Sequence, residues 1–175
     1  LQARGIDYRG VLYAGIMLTP TGPKVLEYNV RFGDPECHAL VPRLASDLAV
    51  HCREAAEGAL RTEVAWRPDA CVTVVLASEG YPAAPRVGDP IEGLAAASMI
   101  DGVVVFHAGT RREGDAVVTS GGRVLAVTGG GGSLTDARRK AYEAADQISW
   151  RGMIRREDIA AHASSSERAG AGTRP

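Results

Sequence analysis

The chain has 175 residues, 45% of them hydrophobic, which suits one domain or two small ones with a core. A formal net charge of −1 gives no electrostatic case for binding nucleic acid or an anionic membrane, and no apolar run approaches the ~18 residues of a membrane-spanning helix. The three cysteines, Cys37, Cys52 and Cys71, lack metal-type spacing and read as thiols in a reducing compartment. Residues 1–10 are polar and show no signal-peptide core, so a cytoplasmic location is expected.

In chain order, residues 11–18 read as a strand, and Thr19-Pro20-Thr21-Gly22-Pro23 is rich in turn formers. A second strand follows, making a hairpin. Lys24, at its start, reads as a solvated side chain. Side chains alternate faces along a strand, so Leu26, Tyr28, Val30 and Phe32 share an apolar face. Glu27, Asn29 and Arg31 then form a polar row opposite. Gly33 should break the strand. Asp34-Pro35-Glu36 then reads as a helix start, with Asp34 as N-cap, Pro35 as the first helical residue and Glu36 in the first turn.

The polar row has two readings. One is a solvated face of an amphipathic strand. The other is chemical. A carboxylate and an amide two residues apart offer hard oxygen ligands on one side, the kind magnesium takes together with substrate phosphates. Arg31 adds a planar fork suited to carboxylate or phosphate. A helix start just beyond could add backbone N–H groups for an anion.

After Pro35 the period becomes helical, with Leu40, Val41 and Leu44 on one side and Pro42 expected to end or kink the helix. Ser46 is expected to cap a second helix, with Leu48, Cys52, Ala55, Ala56 and Ala59 on its inner face. His51 reads as a surface or core-edge residue. Beyond Arg67-Pro68-Asp69 short strands are expected at residues 71–77, 103–108, 116–119 and 124–127, with hairpin turns at Glu113-Gly114-Asp115 and Ser120-Gly121-Gly122. His107 reads as structural. The run of glycines at positions 129–132 lacks the Lys-Ser/Thr of a phosphate loop and reads as a strand-to-helix turn capped by Ser133 or Thr135. The next helix, residues 136–148, should turn Ala137, Ala141, Ala144, Ala145 and Ile148 inward. Residues 163–175 lack periodicity and are expected to be a disordered tail.

Glu-Tyr-Asn-Val-Arg-Phe-Gly-Asp-Pro-Glu, residues 27–36, resembles the signature of the phosphoribosylamine–glycine ligases (glycinamide ribonucleotide synthetases) of the ATP-grasp superfamily. Tyr8-Arg9-Gly10-Val11-Leu12-Tyr13-Ala14-Gly15-Ile16-Met17-Leu18 is similar to the family's preceding strand. Gly80-Tyr81-Pro82, Phe106-His107-Ala108-Gly109-Thr110 and Gly121-Gly122-Arg123-Val124-Leu125-Ala126-Val127-Thr128 are similar to its C-terminal domain. The resemblance covers residues 5–160. It implies an α/β fold: the C-terminal half of an ATP-grasp module (an antiparallel sheet with helices) over residues 1–66, then a small β-rich barrel- or sandwich-like domain over residues 67–162. It also implies a ligase joining glycine to 5-phosphoribosylamine through glycyl phosphate, with ATP as co-substrate and Mg²⁺ or Mn²⁺ as metal. In that chemistry Glu27 and Asn29 would ligate the metal, Arg31 would stabilise the reacting phosphoryl or carboxylate group, and Asp34 and Glu36 would orient substrate.

Two departures stand out. The family usually has glutamine where this chain has His38, and glycine where it has Ala160. The family's nucleotide clamp and N-terminal domain lie upstream of the metal strand. The chain is therefore expected to be inactive alone, the other reading being a non-catalytic remnant that serves as an interaction or regulatory module. The apolar face of the hairpin is expected to lack cover and to favour self-association or marginal stability.

Overall fold

The computed structural model describes residues 1–164, so the expected tail falls outside the described residues from position 165 onward. Ala163 and Ser164 are helical, and Ser164 is buried, its carbonyl accepting from Thr135 Oγ1 at 3.2 Å. Among the described residues no helix is long and apolar enough to cross a membrane. The chain forms two compact units, residues 1–37 with 44–67, and residues 38–43 with 68 onward.

In the first unit, β1 (Tyr13–Thr19) and β2 (Gly22–Asn29) form the expected antiparallel hairpin. Its turn is closed by Thr19 Oγ1 donating to the Gly22 carbonyl at 2.7 Å, and Gly22 takes a φ of 103°, which suits glycine. Two features depart from simple alternation. Gly15 pairs with Glu27 while Ile16 pairs with Val25, so Leu26 is an extra residue in a bulge. The second strand also ends at Asn29, three residues short of the expected Phe32. β1 begins at Tyr13, the partner of Asn29, so among the described residues the ladder ends at that pair and residues 30–32 stand outside it. Arg31 therefore lies beyond the strand. The face expected to pack on a core is open: Leu26 and Tyr28 are each 65% exposed and Val30 is 73% exposed.

α1 (Glu36–Leu40) starts one residue later than expected, after a cis Asp34–Pro35 bond, and a 3₁₀ turn (Val41–Arg43) takes over at Pro42. α2 (Leu48–Glu57) is capped not by Ser46 but by Asp47, whose carboxylate accepts from the Ala49 amide at 2.8 Å. Gly58 closes it in the left-handed conformation. Its buried side chains are His51 and Glu54, whereas Cys52, Ala56 and Ala59 are exposed. Both buried groups tie the following loop to the helix. Glu54 accepts from the Thr62 amide and hydroxyl and from the Arg61 amide at 2.7–2.9 Å, and these bonds, Thr62's first, hold its carboxyl down at about 2. His51 Nε2 meets Ser46 Oγ at 2.6 Å, and Ser46 Oγ also accepts from the Ala65 amide.

The second unit has a three-stranded antiparallel sheet in the order β3–β7–β4, formed by β3 (Ala70–Ala77), β4 (Val103–His107) and β7 (Arg123–Gly131). A separate hairpin joins β5 (Thr110–Glu113), which the sequence pattern did not show, to β6 (Ala116–Thr119). Ser120-Gly121-Gly122 therefore links two sheets and is not a hairpin turn. α3 (Leu94–Ser98) is short, and α4 (Leu134–Gln147) is capped by Ser133, which accepts from Asp136 N at 3.1 Å. α4 buries Ala137, Ala141, Ala144 and Ala145, with Ile148 just beyond it, against Val74, Leu76 and Val127 of the sheet. These small side chains let the helix approach β7 closely. A Cβ on Gly129 would stand 2.4 Å from the Ala137 carbonyl oxygen and 2.5 Å from the Ala141 nitrogen. Gly129, Gly130 and Gly131 are thus strand residues, with Gly129 and Gly131 under the helix, not the expected turn, which is left to Gly132 and Ser133.

Candidate functional site

The first unit gathers the signature on the hairpin and the segment just after it. Glu27 and Asn29 lie two apart at the end of β2, past the bulge. The Asn29 amide nitrogen donates to Glu27 Oε1 at 2.9 Å, which leaves Glu27 Oε2 and the Asn29 amide oxygen as neighbouring hard donors. Glu27 lies across β1 because Gly15 makes room: a Cβ there would be 3.0 Å from Glu27 Cγ.

Among the described residues, no group of three or more His, Cys, Asp or Glu side chains is arranged to hold a metal. A cation at Glu27 and Asn29 would take two ligands from this chain and complete its shell with phosphate and water oxygens. That is how Mg²⁺ is usually held, so the donor set fits a Mg²⁺ or Mn²⁺ bridge to a nucleotide.

Arg31 follows the strand, exposed, and donates from Nη1 to the Phe32 carbonyl at 2.9 Å. Gly33 is buried, and its carbonyl accepts from Cys37 N at 2.9 Å, closing the turn before α1. Asp34 is exposed at this turn. Burial and then the Asp34 charge push the half-buried Cys37 thiol up. Glu36 does not point away along its helix. Its carboxylate folds back over Gly33, where a Cβ would stand 2.2 Å from Glu36 Oε2.

Glu36 Oε1 accepts from the Tyr13 hydroxyl at 3.2 Å. Tyr13 is the residue that sequence reasoning missed. Its phenol is raised by burial, then by its bond to Glu36 and the Glu36 charge, then by the Glu27 charge. Counting back one for one from the Thr19–Gly22 pair would set Tyr13 against Tyr28. The bulge at Leu26 sets it against Asn29 instead. A hydrophobic pattern carries no signal for that shift.

His38, where glutamine is usual, belongs to the second unit. Its ring packs on Phe106 with centroids 5.0 Å apart, and its carbonyl accepts from Thr128 Oγ1 at 3.1 Å. Thr128 in turn meets Thr73 at 2.8 Å, so His38 is tied to the sheet.

Comparison with known proteins agrees with this layout. Residues 71–162 match the family model "Phosphoribosylglycinamide synthetase, C domain", and residues 1–37 match "Phosphoribosylglycinamide synthetase, ATP-grasp (A) domain". The chain is 53% identical over 162 residues to the phosphoribosylamine–glycine ligase of Caulobacter vibrioides, covering 91% of this chain and 38% of that one. It is 46% identical over 166 residues to that of Mesorhizobium japonicum, covering 94% and 39%.

The crystal structure of phosphoribosylamine–glycine ligase from Thermotoga maritima superposes with a TM-score of 0.77 at 39% identity, over 90% of this chain and 39% of that chain. The N5-carboxyaminoimidazole ribonucleotide synthetase of the same organism shares the fold at 17% identity, with a TM-score of 0.60 over 81% of this chain and 37% of that chain. The chain thus spans about two fifths of the length of the relatives it matches. With more than half of its residues under the C-domain model and its first 37 under the ATP-grasp model, the chain belongs to the phosphoribosylglycinamide synthetase family.

Proposed function

We propose that this chain supplies the metal-holding strand of a phosphoribosylamine–glycine ligase. The observation that carries the reading is the adjacency of Glu27 and Asn29, with two hard oxygens left open two residues before Arg31 in the chain, inside the family's own segment. Glu27 and Asn29 hold Mg²⁺ or Mn²⁺, which when bound neutralises charge on the ATP phosphates. Arg31 stabilises the transferring phosphoryl group and the glycine carboxylate with its fork. Asp34 and Glu36, fixed at the turn after β2, orient substrate.

The chemistry is an in-line displacement followed by acyl transfer. A glycine carboxylate oxygen attacks the γ-phosphorus of ATP, and ADP leaves. The amine of 5-phosphoribosylamine then attacks the acyl carbon of glycyl phosphate, inorganic phosphate leaves, and the amine loses a proton as the amide forms. The side chains contribute position and charge rather than covalent steps. The reading extends to a chain that depends on nucleotide-binding structure outside its matched segments and does not ligate alone; ligation by the 175 residues by themselves would overturn that part.

Calorimetry with Mg·ATP tests the ligand assignment. A weak heat of binding is expected for the chain and none for the Glu27→Ala, Asn29→Ala double variant. Equal affinity in both proteins would rule these residues out as the metal's ligands.

A further inference from the structure

Two carboxylates bear on one phenol. The Tyr13 hydroxyl donates to Glu36 Oε1 at 3.2 Å, and the Glu36 carboxylate lies over the buried Gly33. Glu27 approaches the same ring: Tyr13 Cε1 is 3.6 Å from the point above Gly15 that also lies 3.0 Å from Glu27 Cγ. The charges of both Glu36 and Glu27 act on the same phenol. A glutamate side chain has three rotatable bonds, and Glu36 is exposed on a short helix. Without a partner it would be free to reach toward a cation held beside it.

We propose that Tyr13 is a positioning residue whose hydroxyl keeps the Glu36 carboxylate folded over Gly33 and out of the cation's ligand set. The inference rests on the reading of Glu27 and Asn29 as metal ligands. Its consequence is a site that offers the metal one carboxylate rather than two. Cation affinity rises with the number of charged ligands, so a single carboxylate keeps the metal weakly held until nucleotide phosphates join it. The same bond leaves Glu36 available to substrate. Gly33 is part of the device, since any side chain there would occupy the place of the carboxylate.

The test is a titration of the full 175-residue chain with Mn²⁺ alone, without nucleotide, reading the free ion by its electron paramagnetic resonance signal. Tyr13→Phe removes the donor and keeps the ring. It is expected to bind Mn²⁺ about tenfold more tightly, because Glu36 joins the ligand set. Adding Glu36→Gln to Tyr13→Phe should restore the original affinity, and Glu36→Gln alone should change it little. A folding defect would weaken binding, and the second substitution would not reverse it. Affinity for Tyr13→Phe that is weaker than, or within about twofold of, the parent chain would overturn the proposal. Glu27→Ala serves as the separate control. If it leaves Mn²⁺ binding intact, the ligand assignment itself fails, whatever Tyr13 does.

Discussion

Ala160 has a φ of 57°, the one non-glycine residue in the left-handed region among the described residues. For a residue with a Cβ that conformation costs about 1–2 kcal/mol. Its neighbours hold it there: the Ile159 amide donates to the Tyr142 hydroxyl at 3.1 Å, and the Ser164 amide donates to the Ala160 carbonyl at 3.0 Å. Ala160→Gly should therefore raise the stability of the second unit by about 1 kcal/mol, less than the full strain because glycine gains more freedom when unfolded. Urea unfolding followed by Trp150 fluorescence reads this, and an unchanged or lower midpoint would contradict it. The sequence pointed to this position through the family's usual glycine. It gave no hint of the buried Glu54 and put His51 only at the surface or the core edge, because a buried polar residue is marked only by the partners that satisfy it. Those partners, Ser46, Arg61 and Thr62, come from outside the helix.

At the scale of elements, the glycines at the end of β7 are a packing device. The atoms that a Gly129 Cβ would meet belong to the backbone of α4, which cannot step aside as a side chain can. Gly129→Ala is expected to destabilise the second unit by about 3 kcal/mol through overpacking, whereas Gly132→Ala, with nothing within 4 Å of its Cβ, should cost far less. Chemical denaturation of the two variants side by side would separate them, and equal midpoints would refute the overpacking account. The alanine stripe of α4 was legible because helical spacing alone defines a face. The helix that fills the space above the glycines was legible too. Their contact was not, since sequence spacing does not state how closely two elements approach.

Across the whole molecule, burial is uneven. The sheet of the second unit has Val74, Leu76, Leu125 and Val127 fully buried, while the hairpin of the first unit leaves Leu18 83% exposed together with Leu26 and Tyr28, as is Val30 just after it. A lone two-stranded hairpin is marginal in water, and an uncovered apolar strand pairs or packs with whatever it meets. The isolated chain is expected to self-associate. Sedimentation velocity should show a weight-average coefficient that rises with concentration, and Leu18→Lys with Leu26→Lys should reduce the rise. A single concentration-independent species in the parent chain would refute this.

The sequence by itself determined the features that local patterns encode: the hairpin around Thr19–Gly22, the residue types of the signature, the alanine face of α4 and the family to which they point. Tertiary structure alone decided where β2 stops, the bulge that turns Tyr13 toward Asn29, the fold-back of Glu36 over Gly33, and the polar contacts that bury His51 and Glu54. The physical reason is the same in each case. Periodicity describes one segment against an unspecified core, whereas pairing register, close backbone approach and hydrogen-bond satisfaction depend on which second segment arrives, and at what distance.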